Sequence, residues 1–190
     1  MMRVQRFGVI LLIALLLVLA LAACGDTAPT AEPVDVAKQF EEANALARAG
    51  EFDKAIAAYK LVLGADPENV SALTNLGVAY YSTGNLEESI SSYLEALEVS
   101  SEDDADIRSN LAAAYVQTGK FENALEQYQK AVELKPELAE AHFGLGVVYV
   151  QLQDSESAIA AFLKFQEVDT GSDVIATEQA QQYLDQLRGQ

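Results

Sequence analysis

Hydrophobic residues fall along this chain in two different regimes. Residues 1–23 are nearly continuous, with 19 of 23 hydrophobic, and the only charges are Arg3 and Arg6, both ahead of an uncharged run over 7–23. From Val36 onward the apolar residues recur at helical spacing, one face at a time, with short polar breaks between faces. Leu73, Leu76, Gly77 and Tyr80 share one face; Gly84-Asn85 interrupts it; Leu86, Ser89, Ile90, Tyr93, Ala96 and Leu97 form the next. Glycine just past an apolar-periodic run favours the end of a helix. The pattern predicts pairs of short helices joined by tight turns.

The pairs repeat. Gly50, Gly84 and Gly119 are 34 and 35 residues apart, Tyr80, Tyr115 and Tyr149 keep the same interval, and so do Tyr59, Tyr93, Tyr128 and Phe162. Four units follow, at 36–69, 70–103, 105–138 and 139–172, with Asp104 as one extra residue. Pro67 and Pro136 stand where a proline stops the preceding helix. Small residues lie mid-way along each first helix (Ala43, Gly77, Ala112, Gly146) and near the start of each second helix (Ala55, Ser89, Ala124, Ala158). Such residues let two antiparallel helices approach closely, and aromatic residues are expected to fill the gap to the next unit. One helix pair cannot bury its apolar face alone, so the units must stack. Val174, Ile175, Ala180, Tyr183, Leu184 and Leu187 make 173–188 a capping helix.

These positions resemble the tetratricopeptide repeat (TPR) pattern. Unit two supplies Leu73, Leu76-Gly77, Tyr80, Gly84, Ser89, Tyr93 and Ala96; unit three supplies Leu111-Ala112, Tyr115, Gly119, Ala124, Tyr128, Ala131 and Pro136. The resemblance covers 36–172 within a domain of 34–190. It implies an all-α solenoid, a right-handed superhelix of four helix pairs with a concave groove lined by first helices. Departures are Glu42 for the usual Leu, Ser101 for Pro, Phe165 for Ala, and Gln153 for the turn glycine. The last predicts an irregular fourth turn.

Residues 1–23 have the basic start, apolar core and small-residue end of a secretory signal. Leu21-Ala22-Ala23-Cys24 is similar to the bacterial lipobox, which implies cleavage before Cys24 and lipidation of that residue at a membrane of the cell envelope. Several acyl chains together anchor stably. Residues 24–33 (CGDTAPTAEP) read as the lipidated cysteine and a flexible tether. The division also explains why a chain that is 51% hydrophobic carries a formal charge of −17. Removing 1–23 takes away two of twelve basic residues and no acidic one, which leaves 10 against 29. So acidic a body excludes nucleic acid, which requires clustered Lys/Arg.

No catalytic constellation emerges, and neither an enzyme, a cofactor, a metal nor a small-molecule substrate is expected. A single Cys and a single His exclude clustered ligands of either kind. His142 reads as a structural histidine. The acidic run Glu102-Asp103-Asp104-Asp106 lacks the ligand order and central glycine of an EF-hand loop and suits a helix start.

Function is expected in the groove. By the TPR resemblance its lining includes Asn44 from unit one, and Thr74, Asn75, Val78 and Tyr81 from unit two. Unit three contributes Ser109, Asn110, Ala113, Val116 and Gln117; unit four contributes Phe143, Val147, Val150 and Gln151. This set is neutral and half apolar. Asn75 and Asn110 suit either an extended peptide backbone or a bridge between helices. The family's carboxylate clamp needs basic residues that are missing here. The leading expectation is a membrane-anchored protein-interaction scaffold for a basic or neutral protein or peptide partner. A self-associating structural element is the alternative, motivated by exposed apolar groove residues such as Val116, Val147 and Val150.

Overall fold

The computed structural model describes residues 35–171 and 173–189. Cys24, the signal segment and the tether lie outside them. The described residues form nine α-helices and no strand: α1 (Val36–Arg48), α2 (Phe52–Ala65), α3 (Val70–Ser82), α4 (Leu86–Val99), α5 (Ala105–Gln117), α6 (Phe121–Leu134), α7 (Ala139–Gln151), α8 (Ser155–Val168) and α9 (Val174–Arg188). Each helix packs on the one before it, most extensively within the pairs α1–α2, α3–α4, α5–α6 and α7–α8. Neighbouring first helices also touch, along α1–α3, α3–α5 and α5–α7. The second helices are splayed apart by comparison. First helices therefore form the inner, concave layer.

Local chemistry sets the helix ends. Asp35, Asn69, Asp154 and Asp173 each accept a bond from the backbone N–H three residues on, at 3.0–3.1 Å. Such caps satisfy donors that the first turn leaves unpaired. The extra residue Asp104 caps α5, accepting from Asp106 N–H at 2.8 Å and Ile107 N–H at 3.0 Å. Beside it, Asp103 takes two bonds from the Arg108 guanidinium, at 2.5 and 2.7 Å. That bonding holds the Asp103 carboxyl below the usual range. The contribution of this pair is present above the ordinary carboxylate pKa and is lost as pH falls through the lowered value. Within the acidic run Asp104 thus serves as a helix cap and Asp103 as an ion-pair partner.

Within each pair the turn uses a left-handed residue. Gly50, Gly84 and Gly119 have φ of 75°, 77° and 71°. Contrary to the expected irregularity, Gln153 adopts the same conformation with φ 62°. Its turn also closes with the same bonds. Gln153 N–H donates to Val150 O at 3.1 Å and Asp154 N–H to Tyr149 O at 2.9 Å, matching Gly84 to Tyr81 and Asn85 to Tyr80. The packed helices on both sides dictate the turn, and glutamine bears the strain. A left-handed non-glycine residue costs about 1–2 kcal/mol. Gln153→Gly is expected to raise unfolding stability by about 1 kcal/mol, read as a higher urea midpoint at unchanged slope.

Small residues in the first helices meet aromatic rings. A Cβ on Gly77 would lie 2.6 Å from the Tyr93 ring, one on Gly146 2.5 Å from Phe162, and one on Gly144 2.2 Å from Tyr128. The first two contacts lie within a unit and the third crosses to the next, so the aromatics fill both gaps rather than only the second. Ser89 is buried and donates to Gly77 O at 2.9 Å, tying α4 to α3. The unusual Phe165 is accommodated at the end of the solenoid. It is buried with Phe162 under Ala180 and Leu184 of α9, and Tyr183 stacks on Phe162 at 4.9 Å between ring centroids.

Candidate peptide groove

The concave layer holds three clefts at repeat-equivalent positions. The first, of about 380 Å³, includes Phe40, Asn44, Ser71, Thr74, Asn75 and Asp106. The second, of about 260 Å³, lies between α5 and α7 and is lined by Asp106, Ser109, Asn110, Lys135, Leu138 and Glu140. The third, of about 220 Å³, lies among α7, α8 and α9 and includes Glu140, Phe143, Phe165, Asp169, Asp173 and Ile175. Ser71, Asp106 and Glu140 occupy the same place in successive first helices. The register that stacks the units therefore also aligns the clefts.

An amide pair organises the first cleft. Asn44 Oδ1 accepts from Tyr59 OH at 2.7 Å and from Asn75 Nδ2 at 2.9 Å. Asn75 thus bridges α3 to α1 while still lining the cleft. With its oxygen holding two donors, Asn44 keeps its own amide N–H groups for other partners. Asn110 lines the second cleft instead. The difference has a simple source: the position of Asn44 is Val78 in the next unit and Ala113 in the one after, so no amide stands there for Asn110.

The remaining groove positions divide by burial. Thr74 donates its hydroxyl to Val70 O at 2.8 Å. Val78 is exposed beside a depression of about 300 Å³ that includes Ala47, Phe52 and Asn44. Tyr81 is half-buried against the cluster of Leu73, Ile90 and Tyr93. Ser109 is buried at the edge of the second cleft, Ala113 is half-buried, and Gln117 and Gln151 are exposed. Val116 packs on the cluster around Tyr128 and Leu145. Val147 and Val150 pack on the cluster that α9 covers. None of these three valines is the exposed groove residue expected from sequence, because the following element covers part of each. Phe143 is shared: it lines the third cleft and meets Phe162 and Phe165 edge-on at 5.8 and 5.4 Å.

The lining is not neutral. Asp104 and Asp106 reach the first cleft, Asp106 and Glu140 the second, and Glu140, Asp169 and Asp173 the third. The groove positions expected from sequence omit these residues: Asp104, Asp106, Glu140 and Asp173 sit in or just before a first helical turn, where an acidic side chain also has a capping explanation, and Asp169 closes the end of α8. The available signal was the acid shared by units three and four at one register, Asp106 and Glu140. Lys135 is the one cation among them and lies 3.4 Å from Asp106. The phenol of Tyr93 is pushed up to about 12 by burial, so it stays neutral. His142 is buried with Nε2 2.8 Å from Pro136 O. That contact ties the start of α7 to the end of unit three. Among the described residues no group of three acidic, His or Cys side chains is placed to hold a metal ion. Nor is any described helix long and apolar enough to cross a membrane.

Comparison with known families places this architecture. Models described as tetratricopeptide repeat match residues 40–106 and 139–171, and one described as TPR repeat matches 113–153. The chain carries tetratricopeptide repeats. No curated protein is significantly similar to this TPR chain in sequence. Among solved structures, the MamA protein is 26% identical, with 81% of this chain and 86% of that one covered and a TM-score of 0.68. A tetratricopeptide repeat protein from Parabacteroides merdae is 29% identical, with 81% and 60% covered and a TM-score of 0.67. YrrB, a TPR protein with an unusual peptide-binding site, is 23% identical, with 82% and 77% covered and a TM-score of 0.68. At that identity YrrB is similar in fold alone.

Proposed function

We propose that this TPR chain is a lipid-anchored interaction scaffold of the bacterial cell envelope. Its concave clefts hold a basic or neutral segment of a partner protein. The observation that carries this reading is the row of three clefts, one repeat apart, each lined by carboxylates together with polar or apolar side chains. Recurring subsites at a fixed interval suit a linear ligand, which offers its own side chains at a fixed interval. The carboxylates select against acidic ligands and make capture salt-sensitive. YrrB carries its peptide-binding site on this same fold. That supports peptide binding as a use of the fold and transfers no residue.

The anchoring half of the reading rests on the lipobox-like Leu21-Ala22-Ala23-Cys24 and the uncharged run before it. Cys24→Ser is expected to abolish labelling by a radioactive fatty acid and to leave the signal uncleaved. A cleaved, labelled Cys24→Ser protein would end the anchoring proposal. For the groove, the double variant Asp106→Lys, Glu140→Lys is expected to lose at least tenfold of partner recovery from membrane extracts at low salt. Undiminished recovery with the same set of proteins would refute groove binding. The two experiments fail independently.

A further inference from the structure

The three clefts are equivalent in position and different in chemistry. In the first, Ser71, Thr74, Asn44 and Asn75 supply neutral polar groups beside Phe40, Val70 and Ile107. In the second, Lys135 lies beside Asp106 and offsets part of its charge. In the third, the residue equivalent to Lys135 is Asp169, the residue equivalent to Asp106 and Glu140 is Ile175, and the residue equivalent to Thr74 and Ser109 is Phe143. The third cleft thus combines carboxylates with apolar side chains, and no Lys or Arg is among the residues lining it. Ile175 is 69% exposed although it lines this cavity.

Two of the cleft's three carboxylates, Asp169 and Asp173, are held in place. Asp169 Oδ2 accepts from Thr177 Oγ1 at 2.8 Å, and Asp173 Oδ1 accepts from Ala176 N–H at 3.0 Å as the cap of α9. Each bond fixes one oxygen and leaves the other for a ligand. A cation entering here meets oriented acceptors rather than freely rotating ones, which lowers the ordering cost of binding. Phe143 offers a ring that a cation or a planar guanidinium can approach. Apolar side chains beside carboxylates fit a side chain with an aliphatic stem and a charged head.

We infer that the third cleft is a specificity subsite for an arginine side chain of the partner polypeptide. Its stem lies on Phe143 and Ile175 and its guanidinium among Glu140, Asp169 and Asp173. Arginine is favoured over lysine because several carboxylates at different angles match a planar fork of donors, and because the guanidinium stacks on aromatic rings. This inference rests on the groove reading and deepens it by naming which cleft selects which side chain.

The isoleucines supply the test, since Ile107 lines the first cleft and Ile175 the third. The full chain, purified in detergent and methyl-labelled at isoleucine, is titrated with the peptide acetyl-Gly-Ser-Leu-Arg-Leu-Ser-Gly-amide. The control is its twin with citrulline, the neutral isostere, in place of arginine. The expected result is a saturable shift of the Ile175 methyl by the arginine peptide and at least tenfold weaker binding of the citrulline peptide. Asp169→Lys, which installs the residue that unit three already tolerates at this position, is expected to weaken the arginine peptide by tenfold or more. Equal affinity of the two peptides would overturn the inference. So would a shift of Ile107 without Ile175, a result that leaves groove binding standing. A silent Ile175 would overturn it as well, and the Asp106→Lys, Glu140→Lys capture experiment then decides separately whether the groove is used at all.

Discussion

Gly144→Ala is expected to destabilise the domain by about 2–3 kcal/mol, the upper part of the usual range for overpacking a core. Helix propensity alone predicts the opposite sign, because alanine is favoured over glycine in a helix interior by about 1 kcal/mol. The contact decides. A Cβ at 144 would lie 2.2 Å from Tyr128 Cζ and 2.6 Å from both neighbouring ring carbons, and the ring is itself buried. Either the ring leaves its site or α7 moves away from α6. Gly64 provides the matched control. It lies in α2 and its added Cβ would meet nothing within 4 Å. Gly64→Ala is therefore expected to be stabilising by up to about 1 kcal/mol. Urea unfolding of both variants checks the pair. A Tyr128→Leu background removes the ring atoms that clash, so the cost of Gly144→Ala should shrink there. That non-additivity is the signature of direct contact.

The second large effect belongs to the cap. Leu184 is fully buried on α9, against the cluster of Phe162, Phe165 and Ala158. Leu184→Ala is expected to cost about 2–4 kcal/mol, the range for emptying a packed leucine site. The loss should be local at first, because each unit of a solenoid contacts only its neighbours. Hydrogen exchange should therefore accelerate over 155–188 before it changes over 36–99. Uniform acceleration along the whole chain would mean that the units are more tightly coupled than their nearest-neighbour packing implies.

These two cases show what the sequence displays and what it hides. The repeat was legible because Gly50, Gly84 and Gly119 mark a left-handed turn that glycine adopts freely, and because Tyr59, Tyr93, Tyr128 and Phe162 recur with them. Gln153 concealed the fourth turn from the same logic, since the packing of α7 on α8 dictates its conformation and its residue type does not. The close approach at Gly144 was equally hidden. In sequence Gly144 is one of two glycines in a helix, and only the crossing of Tyr128 from the preceding unit gives it a function. For the groove, the first-helix positions were legible by register and their exposure was not. Val116, Val147 and Val150 are partly covered by elements that follow them. The carboxylates at Asp106, Glu140 and Asp173 each had a local explanation as residues of helix starts. Their convergence on successive clefts became visible only once the first helices were placed side by side. Asn44 and Asn75 were both identified, and the geometry adds that one holds the other.

Partners are proposed to sit in the concave layer. Photocrosslinking in the native cell checks this, with a benzophenone amino acid placed singly at Thr74, at Gln117 or at Leu94. Thr74 lines the first cleft, Gln117 is exposed near the end of α5, and Leu94 is exposed on the outer helix α4. Binding in the concave layer predicts a crosslinked partner from Thr74 and Gln117, weakened by raised salt, and none from Leu94. A partner trapped from Leu94 and not from the two concave positions would contradict it.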